Sequence, residues 1–293
     1  MRTFTLVNGD SESCSVTEQQ LFLHDVDGLG FERKNTYRQV GDRFVRVNSQ
    51  PQQKSLTGKV ALLGADPYQS YFNFVQFIQK EPLVLYYTPN PDGDPATNPA
   101  AYTYRRNVDV KKLTKSELEH AGYLNCSIEL TYLTPWYRYV AISNGINNDE
   151  DLLKWGIEWG IEWGPFDEYS KGIRSNSPIS SPSRLTIYGP VTNPTWKHYL
   201  NGIVVEEGKV SVSLSSSEYL VVDNIGDPYS IVKRSRSNLS LVTDVYSSSD
   251  FTTQRFINIQ KGINTLVVEG KDGSNNDIKP LVKLEGHIYY ESV

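Results

Sequence analysis

The sequence is poor in the residues that form covalent or metal-bound frameworks. It contains two cysteines, four histidines and one methionine among 293 residues. Two cysteines exclude a disulfide framework, so Cys14 and Cys126 are predicted to be reduced thiols in the core. The four histidines share no short ligand spacing. We therefore expect neither a metal site nor a cofactor.

Long hydrophobic runs and an excess of positive charge are also missing. No apolar stretch approaches the roughly 20 residues that cross a bilayer, and the first residues lack the apolar centre of a signal peptide. We expect a protein without membrane contact that is made in the cytoplasm. The 29 basic and 34 acidic residues give a net charge of -5, so nothing in the charge favours specific binding of nucleic acid.

Aromatic residues are plentiful, and 19 tyrosines favour β-structure. The clearest strand covers residues 124–132, where Leu124, Cys126 and Ile128 alternate with polar residues. Pro135 cannot donate to a sheet, so the strand is predicted to end there. A chain of this length is expected to form two domains, and we place the boundary just after this strand.

One helix is predicted in the first half. Asp66 can cap it, Pro67 suits its first position, and its apolar face is predicted from three- and four-residue spacing. That face comprises Tyr68, Tyr71, Phe72, Val75 and Ile78. A second, shorter helical turn is predicted before Gly122, because Thr-Lys-Ser-Glu at residues 114–117 has the form of a capping box that opens such a turn.

The second half contains short strand candidates separated by turn residues, a pattern typical of a β-sandwich. The candidates are residues 185–188, 202–205, 210–214, 219–222, 239–242, 256–259 and 265–268. The fold class is therefore mainly β, with two β-sandwich domains, the first of which packs one helix.

A short repeat places Trp155, Trp159 and Trp163 four residues apart. This step puts the three rings on one side of a strand or helix, where they would stack on a glycan or contact a partner protein; packing in an interface or core is the alternative. Glu158 and Glu162 suggest a glycosidase pair, but on a strand they lie about 13 Å apart, beyond the spacing such pairs use. We therefore predict no catalysis.

Several short motifs, in this order, resemble the distal tail protein family of long-tailed phages of Gram-positive bacteria. In the first half they are Gly28-Leu29-Gly30, Tyr37, the helix with Tyr68, Tyr71 and Phe74, residues 83–87, residues 124–132 and Thr134-Pro135-Trp136-Tyr137. In the second half they are Glu162-Trp163-Gly164-Pro165-Phe166, Ile187-Tyr188-Gly189-Pro190 with Asn193-Pro194, and Lys261-Gly262-Ile263-Asn264. The resemblance covers nearly the whole chain.

The resemblance implies a structural hub of the phage tail tip or baseplate. Residues 1–138 would form a ring of six copies and residues 139–270 an outward-facing galectin-like sandwich. Residues 271–293 would be a closing strand, either of the second sandwich or returning to the first domain. The ring would join the major tail tube protein to the tail-tip or tail-associated protein and support receptor-binding proteins. The mild negative charge suits a channel through which phage DNA passes without specific binding.

The ring contact is predicted in residues 33–53. By resemblance, this segment is an arm that laps the adjacent subunit through Tyr37, Phe44, Val45 and Val47. The alternative is an ordinary hairpin packed within its own sandwich. Two other functions stay open: a carbohydrate-binding module for host cell-wall glycans, and a glycoside hydrolase that uses Glu158 and Glu162.

Overall fold

The computed structural model describes residues 2–293 except 19, 31, 95–97, 99–100, 119–121, 144–171 and 239. The described chain is mainly β, as predicted, and contains one α-helix and two compact units. The first unit comprises Met1–Tyr137 and Tyr290–Val293, and the second comprises Arg138–Tyr289.

Eleven strands and the helix begin in the first unit. They are β1 (Thr3–Val7), β2 (Ser13–Ser15), β3 (Thr17–Glu18), β4 (Leu21–Asp27), β5 (Arg33–Val40), β6 (Arg43–Pro51), β7 (Ser55–Leu62), α1 (Pro67–Ile78), β8 (Leu83–Thr88), β9 (Tyr104–Leu113), β10 (Leu124–Tyr132) and β11 (Trp136–Ser143). Strands β2, β1, β8, β9, β10, β7, β4 and β3 are hydrogen-bonded in that order. The first half of β9 pairs with β8 and its second half with β10, so this strand passes from one set of partners to the next.

Strand β10 confirms the predicted alternation. Its five apolar residues are buried, and Leu124 and Cys126 are fully inaccessible to solvent. Burial of such side chains is the main favourable contribution to folding, at about 1.5–3 kcal/mol for each large one.

The helix begins and ends close to the predicted positions. The Asp66 carboxylate accepts a hydrogen bond from the Gln69 amide at 3.0 Å, and Pro67 occupies the first turn. The predicted apolar face is wrong at Phe72, which is 54% exposed, because the buried positions are Phe74 and Ile78. Phe74 lies four residues before Ile78, so the two share one face.

The predicted capping box at residues 114–117 is also wrong, and residues 114–118 are not helical. Both hydroxyls of this segment bond to β10 instead of capping a helix. Thr114 Oγ1 accepts from the Ser127 amide at 2.9 Å, and Ser116 Oγ accepts from the Asn125 amide at 2.8 Å. Serine and threonine make such local backbone bonds readily, which is why a capping-box pattern alone does not fix a helix.

The second unit contains the remaining strands. They are β12 (Gly172–Ser175), β13 (Ser181–Tyr188), β14 (Val191–Leu200), β15 (Ile203–Lys209), β16 (Ser213–Leu214), β17 (Glu218–Asp223), β18 (Ser230–Ser235), β19 (Val242–Asp244), β20 (Asn258–Ile259), β21 (Gly262–Lys271), β22 (Asp277–Ile278) and β23 (Val282–Tyr290), with a 3-10 helix at Tyr246–Ser248. One sheet has the order β19, β18, β17, β13, β23, β11 and the other the order β12, β21, β14, β15. In both sheets, buried residues alternate with accessible ones along the central strands, as in sheets that cover a shared core.

Strands β12, β14 and β18 of the second unit were not predicted. Strand β14 contains Asn193 and Pro194, which resemble a turn, but a shift in pairing between Thr192 and Thr195 accommodates them. Strand β18 is mostly polar. The last segment, predicted as residues 271–293, divides: β23 pairs with β13 in the second unit, and Tyr290–Val293 belong to the first.

The two glycines of the Gly28-Leu29-Gly30 motif differ in the space around them, so their substitution tests the backbone packing of the first unit. Gly28 has a φ of +95°, and a Cβ atom there would lie 2.2 Å from the Ser55 carbonyl oxygen, whereas a Cβ at Gly30 would meet nothing within 4 Å. Gly28→Ala is expected to lower the free energy of unfolding by at least about 1 kcal/mol and up to about 3. Chemical denaturation measures this loss. Gly30→Ala is the matched control and should change stability by less than about 0.5 kcal/mol; equal losses for both variants would contradict the argument.

Candidate functional site

Strands β5 and β6 form a hairpin that is a separate two-stranded sheet. Its turn is Gly41-Asp42, with a φ of +61° at Gly41. Glycine adopts this angle without strain, and two-residue turns with positive φ match the twist of paired strands. Apart from residues near its base, the hairpin is exposed along its length. We call residues 33–51 the arm.

Contacts at the base anchor the arm to the first unit. Gln53 Nε2 donates to the Tyr132 carbonyl at 3.3 Å, and Lys54 Nζ lies 3.2 Å from a Glu32 carboxylate oxygen. Arg33 forms an ion pair with Glu291. The arm therefore leaves the unit from a defined position.

The base of the arm is packed around the Tyr132 ring and the Arg106 guanidinium group. The Arg106 guanidinium lies 3.6 Å from the centre of the Tyr132 ring, and Arg106 Nε donates to the Thr134 carbonyl at 2.6 Å. Burial raises the pKa of the Tyr132 phenol to about 12 and lowers the pKa of the Arg106 guanidinium to about 10. Both shifts indicate that this region is shielded from water.

Large apolar side chains occupy both faces of the arm. The pairing places Tyr37 and Phe44 on one face, and Val40 and Val45 on the other. Phe44 is 70% exposed and Tyr37 57%. Val47 is also exposed and lies at the pairing shift after Thr36. An isolated two-stranded hairpin is marginally stable in water, so a partner surface is needed to cover these residues.

The arm is basic in an acidic protein. Its sequence holds five Arg or Lys residues and one Asp, a net charge of +4, while the whole chain carries -5. The remaining residues therefore carry a net charge of -9. A surface that covers the arm is expected to be acidic, because complementary charges favour association.

All four residues predicted for the ring contact lie on the arm, and the structure adds Val40, which is 51% exposed. These exposed side chains do not pack within their own sandwich, and the ring contact itself stays a prediction. Sequence reasoning missed Val40 because it stands beside the turn, although it shares the alternation of its neighbours. Trp155, Trp159 and Trp163, together with Glu158 and Glu162, lie outside the described residues.

Trp196 is a further tryptophan whose ring type could stack on a sugar if it were exposed. It is 1% exposed, and its indole N–H donates to the Arg255 carbonyl at 2.9 Å. It is a core residue and cannot stack on a sugar.

The described ranges contain no group of three His, Cys, Asp or Glu side chains that could hold a metal ion. Within the same ranges, no helix has the length and hydrophobicity needed to span a membrane.

Comparison with known proteins finds one family model that matches the sequence and several solved structures that share the fold. The family model described as distal tail protein, N-terminal domain, matches residues 3–133. No curated protein matches the sequence. Each solved structure reported below is less than 25% identical to the chain and therefore supports the fold alone.

Three solved structures share this fold. A chain of the phage P2 baseplate in its activated conformation with Ca matches with a TM-score of 0.66 at 16% identity, covering 100% of both chains. The same baseplate with Sr gives 0.65 at 15% identity, again over 100% of both. The Dit protein of phage SPP1, described as a paradigm of the hub adsorption apparatus in phages that infect Gram-positive bacteria, gives 0.57 at 10% identity, covering 97% of this chain and 98% of that one.

Proposed function

We propose that the protein is a structural hub of a phage tail tip and acts through its surfaces, without catalysis. Residues 3–133 match the family model of the distal tail protein N-terminal domain, which supports this proposal. The observation that carries this proposal is the exposed arm on a unit whose sequence matches this family model. The fold is shared with phage baseplate and Dit chains over nearly the full length, which supports a place in the virion tail.

The proposed assembly is a ring of six copies in which each arm covers a different patch on the next copy. A contact between unlike patches closes into a ring when the rotation between copies is fixed. The apolar residues on both arm faces supply the buried area, and the net charge of +4 on the arm against -9 elsewhere makes another copy of this chain a suitable partner. The anchored base fixes the direction in which the arm points.

The remaining partners follow from the place of such a ring in a tail. The ring joins the major tail tube protein on one side to the tail-tip or tail-associated protein on the other, and phage DNA passes through it without specific binding. The second unit is proposed to be the galectin-like sandwich that supports receptor-binding proteins; its two sheets with buried inner faces support this assignment. Assembly takes place in the cytoplasm of the host bacterium.

A variant of the arm tests the ring. Light scattering and negative-stain imaging of the purified protein are expected to show rings with about six times the chain mass of 33.2 kDa. Replacing both Tyr37 and Phe44 with serine removes the apolar side chains from one arm face and is expected to lower the assembled fraction at least tenfold, because burial of two such rings is worth several kcal/mol.

The matched control is Ile203→Ser, since Ile203 lies in the second unit and is 70% exposed, as Phe44 is. This control should leave the rings intact. Raising the salt concentration should weaken the rings, because the arm contact is partly electrostatic. A chain that stays monomeric at high concentration, alone and when mixed with its tail tube protein, would contradict the proposal, as would rings that the control variant disrupts equally.

A further inference from the structure

One face of the first sheet of the second unit forms a groove of about 560 Å³, within the range of small-ligand clefts. Strands β18, β17, β13 and β23 lie side by side beneath it. On β13, Arg184, Thr186 and Tyr188 line the groove, whereas the intervening Leu185 and Ile187 are 1% and 0% exposed in the core. The alternation of the strand therefore separates a polar groove from an apolar core.

Paired charges occupy one end of the groove. Arg184 lies opposite both Asp223 and Glu285 in the pairing of the strands. It contacts Asp223 through two nitrogens, at 2.7 and 2.9 Å, and Lys283 Nζ lies 2.9 Å from Glu285. This end therefore presents hydrogen-bond donors and acceptors side by side, at positions that the strands fix. Such an arrangement suits the hydroxyl groups of a ligand, because a hydroxyl group both donates and accepts hydrogen bonds.

Aromatic rings and guanidinium groups occupy the other end. The rings of Tyr188 and Tyr219 lie 5.9 Å apart, and the Arg236 guanidinium is 4.8 Å from the centre of the Tyr188 ring. Arg234 lies opposite Tyr219 and is exposed. Flat rings beside guanidinium groups can hold the apolar face of a sugar ring next to an anionic substituent.

The charge of the lining is positive although the chain is acidic. Four basic and two acidic side chains line the groove, and both acidic groups form ion pairs with lining residues. The excess charge is therefore at the tyrosine end, on Arg234 and Arg236. An anionic group on a ligand would bind there, since guanidinium groups pair with phosphate and carboxylate through two parallel hydrogen bonds.

Strand geometry disfavours an extended peptide as the ligand. Peptides often bind by adding a strand to a free sheet edge, but the outer edge of β18 is paired with β19 through Val232, Lys233 and Arg234. Only side chains face the groove, and its floor at Thr186 and Val221 is only 5% and 7% exposed.

We propose that this groove binds an anionic saccharide, with its hydroxyl groups at the Arg184 end and its phosphate or carboxylate at the Arg234 end. None of the residues that line the groove belongs to the arm or to the tryptophan repeat, so a failure of this proposal would leave the proposed hub function untouched.

Binding of defined probes to the full-length protein tests the proposal by NMR. The probes are a trisaccharide with a terminal phosphate, a trisaccharide with a terminal glucuronate, their neutral parent, and inorganic phosphate. At least one anionic trisaccharide is expected to bind with millimolar or tighter affinity and to shift the resonances of Tyr188 and Tyr219. The neutral parent and inorganic phosphate are each expected to bind at least tenfold more weakly, because each lacks half of the recognised groups.

Two variants with the same change of charge separate the site from general attraction. Arg234→Ala is expected to weaken binding of the anionic trisaccharide at least tenfold, whereas Lys197→Ala, which removes an exposed cation from β14 on the other sheet, should leave it unchanged. The proposal is overturned if neither anionic trisaccharide binds, if inorganic phosphate binds as tightly as they do, or if both variants weaken binding equally. Perturbed tyrosine resonances in the unmodified protein provide a test that does not depend on any variant folding.

Discussion

Glu206→Ala is expected to lower the free energy of unfolding of the second unit by about 3–5 kcal/mol, because it leaves several buried polar groups without their hydrogen-bond partner. The Glu206 and His198 side chains are 2% and 1% exposed. Glu206 Oε2 lies 2.8 Å from His198 Nδ1 and 2.8 Å from the Asn258 amide nitrogen. The Glu206 side chain therefore joins the His198 ring to the Asn258 backbone inside the core.

The other side of the imidazole is equally constrained. His198 Nε2 lies 3.1 Å from Asn264 Oδ1, and Asn264 Nδ2 donates to the carbonyl groups of Ile173, Gln260 and Gly262. The amide orientation of Asn264 is therefore fixed, so that its oxygen faces the ring. Removal of Glu206 takes away the partner of His198 Nδ1, so one nitrogen of a buried ring is left without a hydrogen bond.

Glu207→Ala is the matched control, because Glu207 is on the same strand, carries the same charge and is exposed. It should change stability by less than about 0.5 kcal/mol. Chemical denaturation, with hydrogen exchange to assign the loss to the second unit, measures both variants. Similar losses for the two, or no loss for Glu206→Ala, would show that the network does not stabilise the unit.

The backbone pattern of this protein could largely be predicted from its sequence, but its side-chain networks could not. Strand β10 was predicted because apolar residues alternate over nine positions, and the start of α1 because Asp66 and Pro67 are strong local signals. Strand β18 was missed because its face opposite the groove, Ile231, Lys233 and Ser235, has only one apolar residue, so the strand lacks the expected apolar alternation. Phe72 was assigned to the buried face because helical spacing alone does not show which side of a helix meets the sheet.

The arm shows how far the prediction of a functional surface can go. Its apolar residues could be selected from the sequence, but whether they were buried depended on contacts between distant segments. The His198–Glu206 pair had one available signal, the Asn201-Gly202 turn, since a hairpin at that point brings these two strand positions together. Their links to Asn258 and Asn264 depend on tertiary packing, which local patterns do not specify.

Trp136→Ala is expected to lower the free energy of unfolding of the first unit by about 3–5 kcal/mol, as is usual when a buried tryptophan is truncated. Trp136 is fully buried. Its ring centre lies 5.7 Å from that of Tyr87 and 5.9 Å from that of Tyr132, and the Arg106 guanidinium lies 5.3 Å from it. Truncation would leave a cavity beside the residues that support the base of the arm.

Trp136→Phe separates the contribution of the ring from that of the indole N–H. The Trp136 Nε1 atom is buried and has no hydrogen-bond partner among the described residues, so phenylalanine keeps much of the aromatic packing and removes an unsatisfied donor. We expect it to lose less than half of the stability that alanine loses, and Leu133→Ala, at a position that is 59% exposed, to lose less than about 0.5 kcal/mol. Denaturant unfolding measures all three. A phenylalanine variant as unstable as the alanine variant would mean that the N–H is bonded in solution, and the packing argument for the base of the arm would then have to include that bond.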